Sequence, residues 1–192
     1  RGEQILKTDQ DNALLLREGY THPALPEVAE RFNAALRSFG YPACPGNIML
    51  TNPLWRQSAG AFRETLRQWL YGELPDAPMH LAIFLDARAV AGDATLLQEA
   101  RAHLQRIASG SDAQLARFAQ AIDQFDEHSP WWSRITGLRE REDATVDIKK
   151  LGTFPIVHGL RVLALQHHLE ELGTVPRIRT LAARGLLDAD LA

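Results

Sequence analysis

The pattern of apolar residues changes at Gly92, and that change limits what the chain can fold into. Before it, short apolar runs alternate with helix-like segments. Residues 13–16 are long enough for a buried strand, and residues 80–90, "HLAIFLDARAV", predict a strongly apolar strand interrupted by Asp86. Residues 48–50 predict another short strand. Between the runs, Val28, Phe32, Leu36 and Phe39 recur at helical spacing, with Pro26 suited to a first turn and Gly40 to a stop. Phe62, Leu66, Trp69 and Leu70 form a second helical stripe that ends near Gly72. Beyond Gly92 only helical periodicity remains, over residues 93–107, 112–125, 156–172 and a last short stretch at 177–183. Asp93 and Asp112 read as N-caps. The predicted architecture is an α/β (α+β) core with a mixed sheet over residues 1–92, followed by an all-helical domain over 93–192.

Nothing in the composition opposes a packed core. Apolar residues make up 45% of the 192-residue chain and charged residues 23%, both ordinary for a globular protein. The formal charge of −3 and the absence of a basic stripe argue against broad nucleic-acid binding. Cys44 is the single cysteine, so no internal disulfide can form, and a reducing cytoplasmic setting fits. The apolar runs are too short to cross a bilayer. P-loop, Rossmann and nucleophile-elbow glycine patterns do not occur.

The chemistry concentrates in "KTDQDNALLL", residues 7–16. On an extended chain, residues i and i+2 face the same side, so Asp9 and Asp11 would stand together at the mouth of a strand. Two like charges that close repel. A hard divalent cation offsets the repulsion, since Mg²⁺ accepts one or two carboxylates and completes its shell with water and phosphate. The competing reading is turn chemistry, because Asp and Asn side chains bond their own backbone. An EF-hand loop is excluded: its sixth position would be Leu14, not Gly, and its twelfth Tyr20, not Glu. Asp86, inside an apolar run, needs a partner, a proton or a metal if it is buried. Three readings stand for it: an ion pair with Arg88, a strand that ends at Leu85, or a third carboxylate beside Asp9 and Asp11.

At these residues a resemblance enters. "RGEQILKTDQDNALLL" resembles the metal-site segment of the polymerase-β nucleotidyltransferase superfamily. It is most similar to a bacterial group often fused to CBS or cyclic-nucleotide-binding domains and related to the PII-uridylyltransferases. "CPGNIMLTNPLWRQS", "AIFLDARAVAGD" and "VDIKKLGTFPIVHGLRVLAL" are similar to later segments of that group, in the same order. The resemblance implies a nucleotidyltransferase core and a helical C-terminal domain. It implies Mg²⁺ or Mn²⁺ as cofactor and a nucleoside triphosphate as substrate. A protein is the possible acceptor, sensor domains would lie upstream in the parent chain, and no membrane is involved. Asp9, Asp11 and Asp86 match the metal-binding aspartates. Arg1, Gly2 and Glu3 match an R-x-E that follows the family's Gly-Ser, Asp147 and Lys149 a D-x-K, and Arg161 an arginine. Arg1, Lys149 and Arg161 are thus the expected nucleotide contacts. The Gly-Ser and its preceding strand would lie before Arg1, so the chain reads as a truncated fragment.

Lesser candidates have plainer alternatives. Arg56 could reach a phosphate, or Asn52 could simply cap the next helix. Lys7 and Lys150 could touch phosphate or be solvated. His158 could line a cleft or sit on a helix face. His167 and Glu171, four residues apart, could share a hydrogen bond on one helical face. Trp131 and Trp132 read as a packing plug or, alternatively, as a base-stacking pair. If the chain is not an enzyme, the rival is a regulatory module that binds a nucleotide or a protein.

Overall fold

The structure, a computed structural model, describes residues 9–72, 74–121 and 152–188. Strand β1 (Leu14–Leu16) pairs in parallel with β2 (Arg56–Ser58), in the register Leu14↔Arg56, Leu15↔Gln57 and Leu16↔Ser58. Around this two-stranded sheet are helices α1 (Leu25–Ser38), α2 (Ala59–Tyr71), α3 (Ala77–Leu85), α4 (Thr95–Ala108), α5 (Asp112–Gln120), α6 (Phe154–Gln166) and α7 (Thr174–Ala183). The described residues are therefore mostly helical, an α+β arrangement with an all-helical C-terminal part.

Helix α1 begins with Pro26 in its first turn, and Gly40, at φ +86°, takes the left-handed conformation that ends it. Helix α2 starts where Ser58 Oγ accepts the Ala61 N–H at 3.3 Å, an N-cap that satisfies one of the free donors of the first turn. It buries Phe62, Leu66, Trp69 and Leu70 on one stripe, as the spacing predicts. Asp93 accepts the Thr95 N–H at 3.1 Å just before α4, and α5 starts at Asp112 itself, with Ser111 at the cap.

Two strand expectations are corrected. The apolar run at 80–90 is helix α3 and its exit, not a strand. Met79, Leu81, Ala82 and Phe84 are all buried, so the segment is covered on nearly every side. A helix buried all round has no polar face to reveal its period, and a short apolar run then looks the same in either conformation. Residues 48–50 are irregular, with a bend leading into a turn, rather than a strand. The partner of β1 is instead the polar trio Arg56, Gln57 and Ser58, which no apolar pattern marks.

One core cluster runs from Cys44 and Trp55 through Leu66, Trp69, Leu81 and Phe84 to Leu104, Phe118 and Leu165. Trp69 packs 5.2 Å from Trp55 and edge-on to Phe62 at 5.7 Å. Helices α3 and α4 both pack on α2, and residues from both contribute to this cluster. A smaller cluster of Leu160, Ala164, Leu169 and Leu181 joins α6 to α7.

Candidate metal centre

Residues 9–12 alternate sides as an extended chain must. Gln10, 4% exposed, turns inward. Its Nε2 donates to the carbonyls of Asn33 (3.3 Å) and Tyr41 (3.2 Å), and its Oε1 accepts from Asn33 Nδ2 at 2.5 Å. Asn12 follows on the same side: its Oδ1 accepts from Asn33 Nδ2 (3.1 Å) and from the Leu50 N–H (2.9 Å). Backbone bonds from Gln10 N to Pro42 O (3.0 Å) and from Asn12 N to Ile48 O (2.9 Å) fix the segment against the 41–50 loop. With the even residues anchored, Asp9 and Asp11 share the opposite side.

There they meet Cys44. One ligand-capable atom from each of Asp9, Asp11 and Cys44 lies within 4.8 Å of the others. Asp9 is half-buried, Asp11 exposed and Cys44 buried. A parallel bridge between Gln10 and Ala43 places the cysteine, and a turn closed by Asn47 N–H on Cys44 O at 3.0 Å holds it. Burial pushes the thiol up to about 12, and the hydrogen bond to Asp11 and that residue's charge add to the effect. The sulfur therefore keeps its proton at neutral pH and acts as a donor. The two carboxylates fit a hard cation, which takes oxygen ligands in preference to sulfur.

Asp86 caps the C-terminus of α3 and is not a member of this group. Arg161 of α6 donates to its Oδ2 through Nε at 3.0 Å and through Nη2. Arg177 of α7 donates to its Oδ1 at 2.8 Å, and also to Leu85 O (3.0 Å) and Glu171 O (2.9 Å). The three side chains are 8%, 9% and 3% exposed. Arg101 closes the same corner through Ala87 O, and its pKa is lowered first by burial and then by the charge of Arg177. Asp86 is thus a buried carboxylate answered by guanidiniums, which is one of the few ways such a charge is tolerated. Of the readings open for Asp86, an ion pair is the one the structure supplies, made with Arg161 and Arg177 far along the chain because the helix exit turns the carboxylate into the α6–α7 corner. Arg161, expected to contact nucleotide, is buried on Asp86. Its pKa falls to about 10 through desolvation, which leaves it protonated at neutral pH.

The remaining candidates resolve as follows. Arg56 Nη1 donates to Leu50 O at 2.7 Å and to Thr51 O at 3.2 Å, stapling the loop, while Asn52 caps the following turn through Leu54 N. His158 is fully buried between Phe118 and Phe154, with Nε2 donating to Phe118 O at 2.7 Å. Helix α6 ends at Gln166, so His167 and Glu171 share no helical face, and Glu171 accepts from Thr180 at 2.7 Å instead. Arg1, Lys7, Trp131, Trp132, Asp147, Lys149 and Lys150 lie outside the described residues.

Sequence reasoning missed Cys44 as a neighbour of the aspartates, and it missed the Gln10–Asn12–Asn33 anchor. The anchor had a signal in the same i, i+2 rule that pairs the aspartates, since the residues between them must face the interior. Cys44 had none, because it lies 33 positions after Asp11 and only the fold brings them together.

Two family models match. One described as "Putative nucleotidyltransferase DUF294" covers residues 1–76, which contain Asp9, Asp11 and Cys44. Another, "Putative nucleotidyltransferase substrate binding domain", covers residues 112–192. Over both stretches the chain is similar to putative nucleotidyltransferase domains. No curated protein and no solved structure matches it. The corner built by Asp86 ties the stretch between the two matched regions to the second of them, because Asp86 lies between the regions and Arg161 and Arg177 lie in the second. Among the described residues, no helix is long and apolar enough to cross a membrane.

Proposed function

We propose that the chain serves a metal-dependent transfer of a nucleoside monophosphate from a nucleoside triphosphate to a hydroxyl acceptor, in bacterial signalling. The observation that carries this reading is the convergence of Asp9 and Asp11 on one side of a segment whose other side is pinned by Asn33. A divalent cation bound there would neutralise triphosphate charge and polarise the reacting phosphate. The protein's own contribution is rigidity. Gln10 and Asn12 hold the backbone so that the two carboxylates need not reorganise when ligand arrives, which is how a site preorganises its electrostatics. Arg1 and Lys149 remain the proposed phosphate contacts. The proposal leaves Asp86 and Arg161 out of the reacting group and assigns them to the corner between α3, α6 and α7. Mg²⁺ or Mn²⁺ is the proposed ion, and a tyrosine hydroxyl on a signalling protein the proposed acceptor by kinship with uridylyltransferases.

A second reading has one observation in its favour. The third member beside the two aspartates is a thiol, while Asp86 is held by two arginines. A non-catalytic module that binds a nucleotide or a partner protein needs no third carboxylate. Pyrophosphate release from labelled nucleoside triphosphates, with Mg²⁺ or Mn²⁺, separates the two. Release that disappears in the Asp9→Asn, Asp11→Asn double variant supports transfer. Release that survives the double change removes the proposed chemistry, and nucleotide binding without release favours the module.

A further inference from the structure

We infer that Cys44 is a positioning residue of this metal centre: its thiol donates a hydrogen bond to the Asp11 carboxylate and fixes that carboxylate beside Asp9, ready for a divalent cation. The inference rests on the reading of Asp9 and Asp11 as metal ligands.

Geometry comes first. Two carboxylates within 4.8 Å repel, and an exposed Asp11 can relieve the repulsion by rotating into solvent. A donor fixed to the scaffold opposes that rotation. Cys44 is only 7% exposed and packs into the main core cluster, so its sulfur has little freedom. Its backbone is tied on both sides, by the Gln10↔Ala43 bridge before it and the Asn47 N–H on its carbonyl after it. The bridge to Gln10 matters most, because Gln10 sits between the two aspartates. Any shift of the cysteine loop therefore carries the carboxylate pair with it.

The chemistry of the atoms assigns the role. A thiol has one weak donor and a soft sulfur. Hard cations such as Mg²⁺ prefer oxygen, so the sulfur adds nothing as a ligand for them, whereas its S–H can hold a carboxylate oxygen. Outer partners of this kind orient metal ligands, and their loss typically weakens metal affinity about 10- to 100-fold.

The test uses the 192-residue chain, Mn²⁺ as the probe, and electron paramagnetic resonance to count free ion. Cys44→Ala should weaken Mn²⁺ binding about 10-fold or more. Cys44→Ser, which restores a donor, should return the affinity close to wild type. Circular dichroism verifies that each variant is folded. Should Cys44→Ala fail to fold, infrared spectroscopy of the wild-type S–H stretch gives an independent answer. That band should sit at the lower frequency of a hydrogen-bonded thiol and move to the free position in Asp11→Ala. Unchanged Mn²⁺ affinity in Cys44→Ala, with binding lost in Asp11→Asn, overturns the positioning role and leaves the metal site standing. A serine variant as weak as the alanine variant overturns it too, since packing alone would then explain the loss. A free S–H band in wild type does the same. Absence of Mn²⁺ binding in wild type sinks both the inference and the metal reading beneath it.

Discussion

Replacing Asp86 with alanine removes the carboxylate that answers two buried guanidiniums at once. Arg161 and Arg177 are 9% and 3% exposed at the side chain, so water cannot take over the lost interaction cheaply. Breaking a buried pair by removing one partner costs about 3–5 kcal/mol, because a charge stays behind in a poorly solvated place. Arg177 keeps its bonds to the carbonyls of Leu85 and Glu171, which argues for the middle of that range, about 4 kcal/mol. For a chain of this size each kcal/mol moves the melting temperature by about 2–4 °C, so a drop of about 8–16 °C is expected. Asp86→Asn should fall between, since an amide oxygen still accepts one guanidinium but carries no charge. Thermal and urea unfolding followed by circular dichroism measure the change. Mn²⁺ affinity, measured in parallel on the folded variant, should stay near wild type. A melting temperature within about 2 °C of wild type would refute the clamp, and a collapse of Mn²⁺ binding without loss of stability would return Asp86 to the metal centre.

Two further outcomes follow from groups of known burial. His158 is fully buried and its pKa is lowered, chiefly by desolvation and also by the charge of Arg161, against the bond to Phe118 O. Its folded pKa lies below the unfolded value of about 6.5, so the unfolded chain binds the extra proton first and stability falls as pH drops below about 6.5. Urea midpoints from pH 8 to 5 should show that decline, and His158→Gln should flatten it; an equal slope in the variant would assign the effect to other groups, such as His80, which burial shifts in the same direction. Asn33→Leu removes the donor shared by Gln10 and Asn12 and leaves their buried oxygens short of a partner. A loss of about 1–3 kcal/mol in urea unfolding, together with weaker Mn²⁺ binding, is expected, and a variant with unchanged Mn²⁺ affinity would show that the anchor does not organise the aspartates.

How much the sequence revealed depended on how local the cause was. The stripe of Phe62, Leu66, Trp69 and Leu70 was visible because α2 has a wet side that exposes its period. Helix α3 was misread because both sides are dry. Strand β2 left no trace, since the three polar residues Arg56, Gln57 and Ser58 carry no apolar alternation. The likeness of "TDQDN" to a metal-site segment was legible from residue types alone, and so was the pairing of Asp9 with Asp11, which follows from backbone geometry within three residues.

Neighbours along the chain thus determined which two carboxylates face together, where most helices begin and end, and that a packed core is possible. The tertiary structure alone decided that Cys44 joins those carboxylates and that Asp86 does not. Both outcomes turn on contacts between residues tens of positions apart, Cys44 with Asp11 and Asp86 with Arg161 and Arg177. Such contacts exist only once burial of the shared core has brought the segments together, and no spacing rule along the chain encodes them.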